Sequence, residues 1–325
     1  MSADSHRPDS DLKSAATDTQ TVVAALYCFV ELPDFEDLRA PLLDTCQQLD
    51  LRGTLLLADE GINGTVAGTR EAIDQLRQSF LTRDRFPGLT YKESFADAPP
   101  FKRMKVKLKR EIVTMGVEGV NPNARSGERV DAVRWNALLA DPDVLVIDTR
   151  NAYEHAIGTF PGAISPDTTT FREFPEFAAR SLDPARHRQV AMFCTGGIRC
   201  EKATHLLLTQ GFEQVFHLDG GILRYLEDVP ADDNRWQGEC FVFDDRVAVD
   251  ARLAPGSYTQ CSACRHPLSA ADRADARYEP GVSCPHCLDS VSDDKRRRLR
   301  ERKRQEELVL QRTDVMGTQS ELQTK

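Results

Sequence analysis

The sequence predicts a multidomain α/β chain, and three observations carry that expectation. Residues from Val22 to Phe95 run strand, helix, strand, strand, helix, strand. From Asp131 onward, single strands and helices alternate at the spacing of parallel crossover units. Near the C-terminal end, two CxxC pairs stand in a stretch too polar to build a core of its own. At 325 residues the chain is too long for one typical core, so two or three domains are expected.

The polar residues 1–20 have no apolar signal-peptide region and read as a disordered tail. Val22–Leu32 is an apolar run rich in β-formers, closed by Pro33. Asp34–Leu51 places Phe35, Leu38, Leu42, Leu43, Cys46 and Leu49 on one helical face, with Asp34 as N-cap. Two strands follow, Gly53–Ala58 and Thr65–Gly68, around a predicted turn at Asp59–Gly64. A helix at Thr69–Thr82 and a strand at Leu89–Phe95 complete the set. This order over 21–98 is that of a ferredoxin-like, acylphosphatase-like sandwich, with Cys28 and Cys46 as packed core thiols.

Residues 99–128 read as a basic strand and a polar linker. In FKRMKVKLKREIVTM, Arg103, Lys105, Lys107 and Lys109 alternate with Met104, Val106 and Leu108. A strand with this pattern has one apolar face and a row of four cations on the other. The row reads either as protection of a sheet edge or as a contact surface for a phosphate backbone.

Residues 129–235 form the second predicted domain. A helix at Asp131–Leu139 precedes a strand, Val144–Asp148, and a second buried strand, Gln189–Phe193, ends at Cys194. Cys194-Thr195-Gly196-Gly197-Ile198-Arg199 then leads into a helix that stops at Gly211, and Val215–Leu218 is followed by Asp219-Gly220-Gly221-Ile222. A glycine-rich turn between strand and helix curls its N–H groups inward, and the helix end adds positive potential. Cys194 therefore reads as a stabilised thiolate or persulfide, and Arg199 as a permanent charge beside it.

DTRNAYE…IGTFPGAI, FCTGGIRCEKA and LDGGI together resemble a rhodanese domain, the fold of thiosulfate sulfurtransferases. The six-residue loop from Cys194 to Arg199 matches that fold, whereas its related phosphatases use a loop one residue longer. Gly158-Thr159-Phe160 departs from the usual Gly-His-Ile, with an expected effect on packing beneath the loop. Together with LADEGINGT and FKRMKVKLKREIVTMG, the chain resembles the rhodanese-containing tRNA uridine hydroxylases over roughly 20–290. The resemblance implies hydroxylation of C5 of the wobble uridine with molecular oxygen as co-substrate, the tRNA anticodon region as partner, and Cys194 as the active cysteine.

Residues 236–290 read as a Cys-rich module. Cys261, Cys264, Cys284 and Cys287 have the spacing of a tetrahedral structural zinc site, with His266 and His286 as neighbours. Residues 291–325 read as a basic helical tail, since Lys295–Arg304 holds eight cations and one acid. It is either solvated or a supplementary RNA clamp.

The net charge of −9 argues against indiscriminate nucleic-acid binding, and no apolar run has the length of a membrane span. Nine cysteines with two CxxC pairs fit a reducing cytoplasm. There is no flavin, nicotinamide or iron motif. Two enzyme readings follow, a tRNA uridine hydroxylase and a sulfurtransferase carrying a persulfide on Cys194. A module that senses sulfide or binds phosphate without turnover is the third.

Overall fold

The computed structural model of the chain describes residues 20–82, 84–305 and 308. The expected N-terminal tail therefore falls almost wholly outside the described residues. The chain divides after Ile112 into two compact units.

The first unit contains β1 (Thr21–Phe29), α1 (Phe35–Gln48), β2 (Arg52–Ala58), β3 (Gly61–Gly68), α2 (Arg70–Ser79), β4 (Thr90–Ala96) and β5 (Met104–Leu108). Its five-stranded sheet has the order β4-β1-β3-β2-β5. Alternation buries Val22, Ala24, Leu26 and Cys28 of β1 in one cluster with Leu42 and Cys46 of α1 and Ile73 and Leu76 of α2. The expected sandwich is present. Thr69 caps α2 by accepting the Ala72 N–H at 3.2 Å. Asp34 precedes α1 but its side chain makes no cap hydrogen bond.

Two expectations for this unit are corrected. The predicted turn over Asp59–Gly64 shrinks to Asp59-Glu60, because the glycines beyond it lie within β3. A Cβ on Gly61 would collide with the Cys28 carbonyl of β1, so this glycine serves close strand approach and not a turn. The basic segment is no separate connector either, since β5 pairs parallel with β2, from Gly53↔Met104 to Leu57↔Leu108. Glu60 and Asn63 of the LADEGINGT motif clamp the end of this segment. Glu60 Oε1 accepts the Ile112 N–H at 2.6 Å, and Asn63 Nδ2 donates to the Ile112 carbonyl at 2.7 Å.

The second unit begins with β6 (Glu128–Val130), α3 (Ala132–Ala140), β7 (Val144–Asp148), α4 (Ala152–His155), β8 (Gly158–Thr159) and α5 (Phe174–Ser181). β9 (Gln189–Phe193), α6 (Ile198–Thr209), β10 (Gln214–Leu218) and α7 (Gly221–Asp228) follow. The four-stranded sheet has the order β6-β10-β9-β7, parallel throughout. Glu128, expected at the end of the linker, is therefore an edge-strand residue. Period-two alternation along β9 sends Ala191 and Phe193 to one apolar cluster and Val190 and Met192 to the other.

β11 (Gln237–Gly238) pairs with β8, and β12 (Cys240–Phe241) forms a hairpin with β13 (Ala248–Val249). Trp236, Cys240, Val242 and Val249 lie in the same cluster as Phe193. The expected boundary at 235/236 is thus displaced, because Trp236 is a core residue flanked by polar ones. Beyond it, β14 (Thr259–Gln260), β15 (Pro267–Leu268), α8 (Ala270–Ala274) and helical residues 293–305 surround the four cysteines. The start of the basic helix is tied down. Lys295 Nζ donates to the Ala263 carbonyl at 3.0 Å, Arg300 grips Glu279 at 2.6 and 2.7 Å, and Leu299 packs on the cysteine cluster. The expected tail beyond Leu308 lies outside the described residues.

Candidate active site

The apolar run of β9 delivers Cys194 to the carboxyl edge of the sheet, fully buried. Gly197, at φ 97°, turns the chain into α6 and donates its N–H to Cys194 Sγ at 3.1 Å. The loop is backed by the start of α7. Ile222 and Leu223 donate to the carbonyls of Cys194 and Thr195 at 3.0 and 3.1 Å. Those carbonyls are held away from the sulfur, which leaves the loop N–H groups to face it. A Cβ on Gly221 would collide with both carbonyls and with Gly197 N. Gly221 is thus the second glycine the loop depends on, and only the close approach of α7 reveals it. At Gly196 an added Cβ would meet nothing within 4 Å, which marks the open side.

Burial opposes charge on the sulfur, but the Cys200 thiol, the Arg199 charge and the N–H groups of Cys200 and Arg199 outweigh it, lowering the Cys194 pKa to about 5. Cys194 therefore holds a thiolate at neutral pH. Cys200 moves the other way, because burial and the adjacent Cys194 sulfur both favour its protonated thiol.

Arg199 supplies the expected charge beside Cys194, and it has a partner of its own. Its guanidinium forks onto Glu154 at 2.6 and 2.8 Å, and both side chains are buried. Its positive charge still acts on Cys194, while both of its terminal nitrogens donate to the carboxylate. Glu154 is held in turn by the capping box of α4, accepting the Asn151 N–H at 3.1 Å. Sequence reasoning assigned Glu154 no role, although the box was visible in Asn151-Ala152-Tyr153-Glu154. Arg150 and His155 lock Asp148, at the end of β7, with Arg150 at 2.6 and 2.8 Å and His155 Nδ1 at 3.0 Å. Phe160, the departure noted above, packs edge-on to Phe193 with centroids 4.9 Å apart, directly beneath the loop.

A family model described as the UPF0176 acylphosphatase-like domain matches residues 21–112, and one for the rhodanese-like domain matches 132–228. This is the architecture of the rhodanese-domain UPF0176 family. Among solved structures, a rhodanese-like domain from Anabaena sp. is 23% identical, covering 34% of this chain and 78% of its own, with a TM-score of 0.28. A Rhodopseudomonas palustris protein of unknown function, described as a possible tyrosine phosphatase, is 25% identical over 33% of this chain and 83% of its own, at 0.28. A rhodanese-related protein from Thermoplasma volcanium is 19% identical over 32% of this chain and 95% of its own, at 0.25.

In the UPF0176 domain, β5 carries Lys105 and Lys107 of the predicted basic row on the edge of the sheet, with Arg103 and Lys109 just beyond its two ends. Val106 is buried and Met104 packs beside it, while Leu108, expected on the same apolar face, is 39% exposed. Among the described residues, Lys105, Lys107 and Lys109 have no carboxylate partner. In the rhodanese unit, the Sγ atoms of Cys261, Cys264, Cys284 and Cys287 lie within 4.8 Å of one another. The separations of 3.9 Å for Cys261–Cys287 and 3.7 Å for Cys264–Cys284 and Cys284–Cys287 suit a metal ion. Zinc–sulfur bonds near 2.3 Å in a tetrahedron place sulfurs about 3.8 Å apart. The four residues fit a metal. His266 and His286 stack on one another at 3.8 Å outside this sulfur set, and His266 also meets Tyr153, the neighbour of Glu154, at 6.1 Å. No helix among the described residues is long and apolar enough to cross a membrane.

Proposed function

We propose that this chain is a tRNA-modifying oxidoreductase that hydroxylates C5 of the wobble uridine with molecular oxygen. What carries the reading is the pairing of a cation-edged UPF0176 domain with a Cys194 loop built to hold a thiolate. Uracil C5 resists oxygen until electron density is pushed onto it. The Cys194 thiolate supplies that density by adding to C6, which leaves an enolate with a nucleophilic C5. Loop N–H groups stabilise the negative charge that develops, whereas Arg199, already engaged by Glu154, positions the loop and contributes its field. The ring of Phe243, 63% exposed and 5.8 Å from the Arg199 guanidinium, offers a face on which a base can stack. Mass spectrometry of tRNA nucleosides from cells with and without the gene tests the reading; identical 5-hydroxyuridine levels would overturn it.

The sulfurtransferase reading is favoured by one observation, the six-residue loop around a low-pKa cysteine. The basic row separates the two. Changing Lys105, Lys107 and Lys109 together to Gln is expected to weaken tRNA binding and flatten its log–log salt slope by roughly two units, since each lost phosphate contact removes about 0.7 to 0.9. Sulfur transfer from thiosulfate to cyanide should not change, because these lysines take no part in the Cys194 loop. Equal affinity and slope in the triple variant would return the row to edge protection.

The four cysteines we assign to structural zinc, with no open coordination position for chemistry. Cys261→Ser is expected to release about one zinc per chain and to loosen the module, since so small a core depends on its metal. The apolar cluster around these cysteines is separate from those beneath Cys194, so the rhodanese domain should remain folded. Elemental analysis of the purified parent protein that found no zinc would refute the assignment.

A further inference from the structure

A monooxygenation consumes two electrons beyond those of its substrate, and the hydroxylase reading leaves their source open. The structure holds a second thiol at the site. Cys200, in the first turn of α6, is fully buried like Cys194 and lies in the same apolar cluster. Its position is fixed from two sides. The Cys200 N–H donates to the Gly197 carbonyl at 3.0 Å, and its Sγ lies 3.5 Å from Thr149 Oγ1. Thr149 in turn donates its N–H and its hydroxyl to the Phe193 carbonyl, each at 3.0 Å. Thr149, the residue after β7, thus ties the Cys200 side chain to the end of β9 that delivers Cys194.

We propose that Cys194 and Cys200 form a dithiol that supplies both electrons of the hydroxylation and ends each turnover as a disulfide. The inference rests on the hydroxylase reading above. The enolate carbon C5 bonds to molecular oxygen, and loss of the C5 proton expels Cys194 from C6, leaving a 5-hydroperoxyuridine. The freed Cys194 thiolate attacks the distal peroxide oxygen and the O–O bond breaks. The uridine keeps one oxygen as its 5-hydroxyl, and Cys194 becomes a sulfenic acid. Cys200 then attacks the Cys194 sulfur, and the hydroxyl leaves as water. In sum, uridine, oxygen and two thiols give 5-hydroxyuridine, water and one disulfide. An external dithiol, a small molecule or a thioredoxin-class protein, restores the pair by exchange. Cys194 begins the reaction as a thiolate; once it is a neutral sulfenic acid, the negative charge that helps keep Cys200 protonated is gone, which eases ionisation of Cys200 for its attack.

The test is a single turnover. Full-length protein is reduced, freed of thiols without oxygen, and mixed with oxygen and an anticodon stem-loop RNA carrying the wobble uridine. The expected result is about one 5-hydroxyuridine per chain with the loss of about two titratable thiols. Trypsin cuts after Arg199, so Cys194 and Cys200 leave on separate peptides that stay joined only through a disulfide. Cys200→Ala, and Cys200→Ser as a check on packing, should complete the first turnover, stop with a dimedone-reactive Cys194, and lose repeated turnover under added dithiothreitol. Sustained turnover at the parental rate in both variants, or product formed with no thiol consumed, overturns the proposal. A parallel arm treats the reduced protein with hydrogen peroxide and no RNA. A Cys194–Cys200 disulfide in that arm, with no 5-hydroxyuridine under any condition, overturns the hydroxylase reading and the donor role with it. Product without the disulfide overturns the donor role alone.

Discussion

A Cys194→Ser protein is expected to fold and bind RNA as the parent does, yet to form no 5-hydroxyuridine and to transfer no sulfur. The hydroxyl fits the loop and can still accept the Gly197 N–H, but at neutral pH it is a far weaker nucleophile than a thiolate. Nucleoside mass spectrometry after incubation with tRNA reads the outcome, and wild-type product formation would remove Cys194 from the mechanism. A pH dependence accompanies this result. The Cys194 pKa is lowered to about 5, so the thiolate is present above that value and lost as the pH falls through it. The rate of Cys194 alkylation by iodoacetamide should therefore change little near neutrality and collapse on the acid side of about 5. Alkylation that instead rises through the ordinary thiol range, near 8.5, would mean the loop does not stabilise the anion.

Glu154→Gln is expected to have the largest effect on stability. It leaves the Arg199 guanidinium buried without its counter-charge, a change that costs about 3 to 5 kcal/mol in comparable buried pairs. A domain of this size should then melt about 10 °C lower. The damage is predicted to be specific to the pair. Pairing Glu154→Gln with Arg199→Met removes both charges together and should recover much of the loss, which a double-mutant cycle measures. Equal melting of the Glu154→Gln protein and the parent would show that the fork contributes nothing. In the single variant the uncompensated Arg199 should lower the Cys194 pKa further, so surviving protein would be alkylated faster at acid pH. Stability and thiolate character therefore move in opposite directions.

Local pattern was enough for much of this molecule. The strand and helix order of the first domain, the loop at Cys194 and the metal-ligand spacing of Cys261, Cys264, Cys284 and Cys287 are all properties of short segments. Apolar periodicity, glycine placement and cysteine spacing act over a few residues and survive into the folded chain. The tertiary structure decided what depends on residues distant in sequence. β5 looked like a connector because nothing in its own residues names β2 as its partner, and parallel pairing across the sheet is a long-range event. Trp236 looked like the start of a new module because its burial against Phe160, at 5.1 Å, exists only once the sheet is assembled. Glu154 was visible as a helix-capping residue, but its partner Arg199 is 45 positions away. Gly221 fits a helix start on local grounds, and only the approach of α7 to the back of the loop shows why a side chain there would displace the carbonyls of Cys194 and Thr195. The nucleophile could thus be named from ten contiguous residues, while the groups that set its charge and hold its loop had to wait for the fold, because hydrogen bonds and ion pairs act across space and leave no periodicity in the chain.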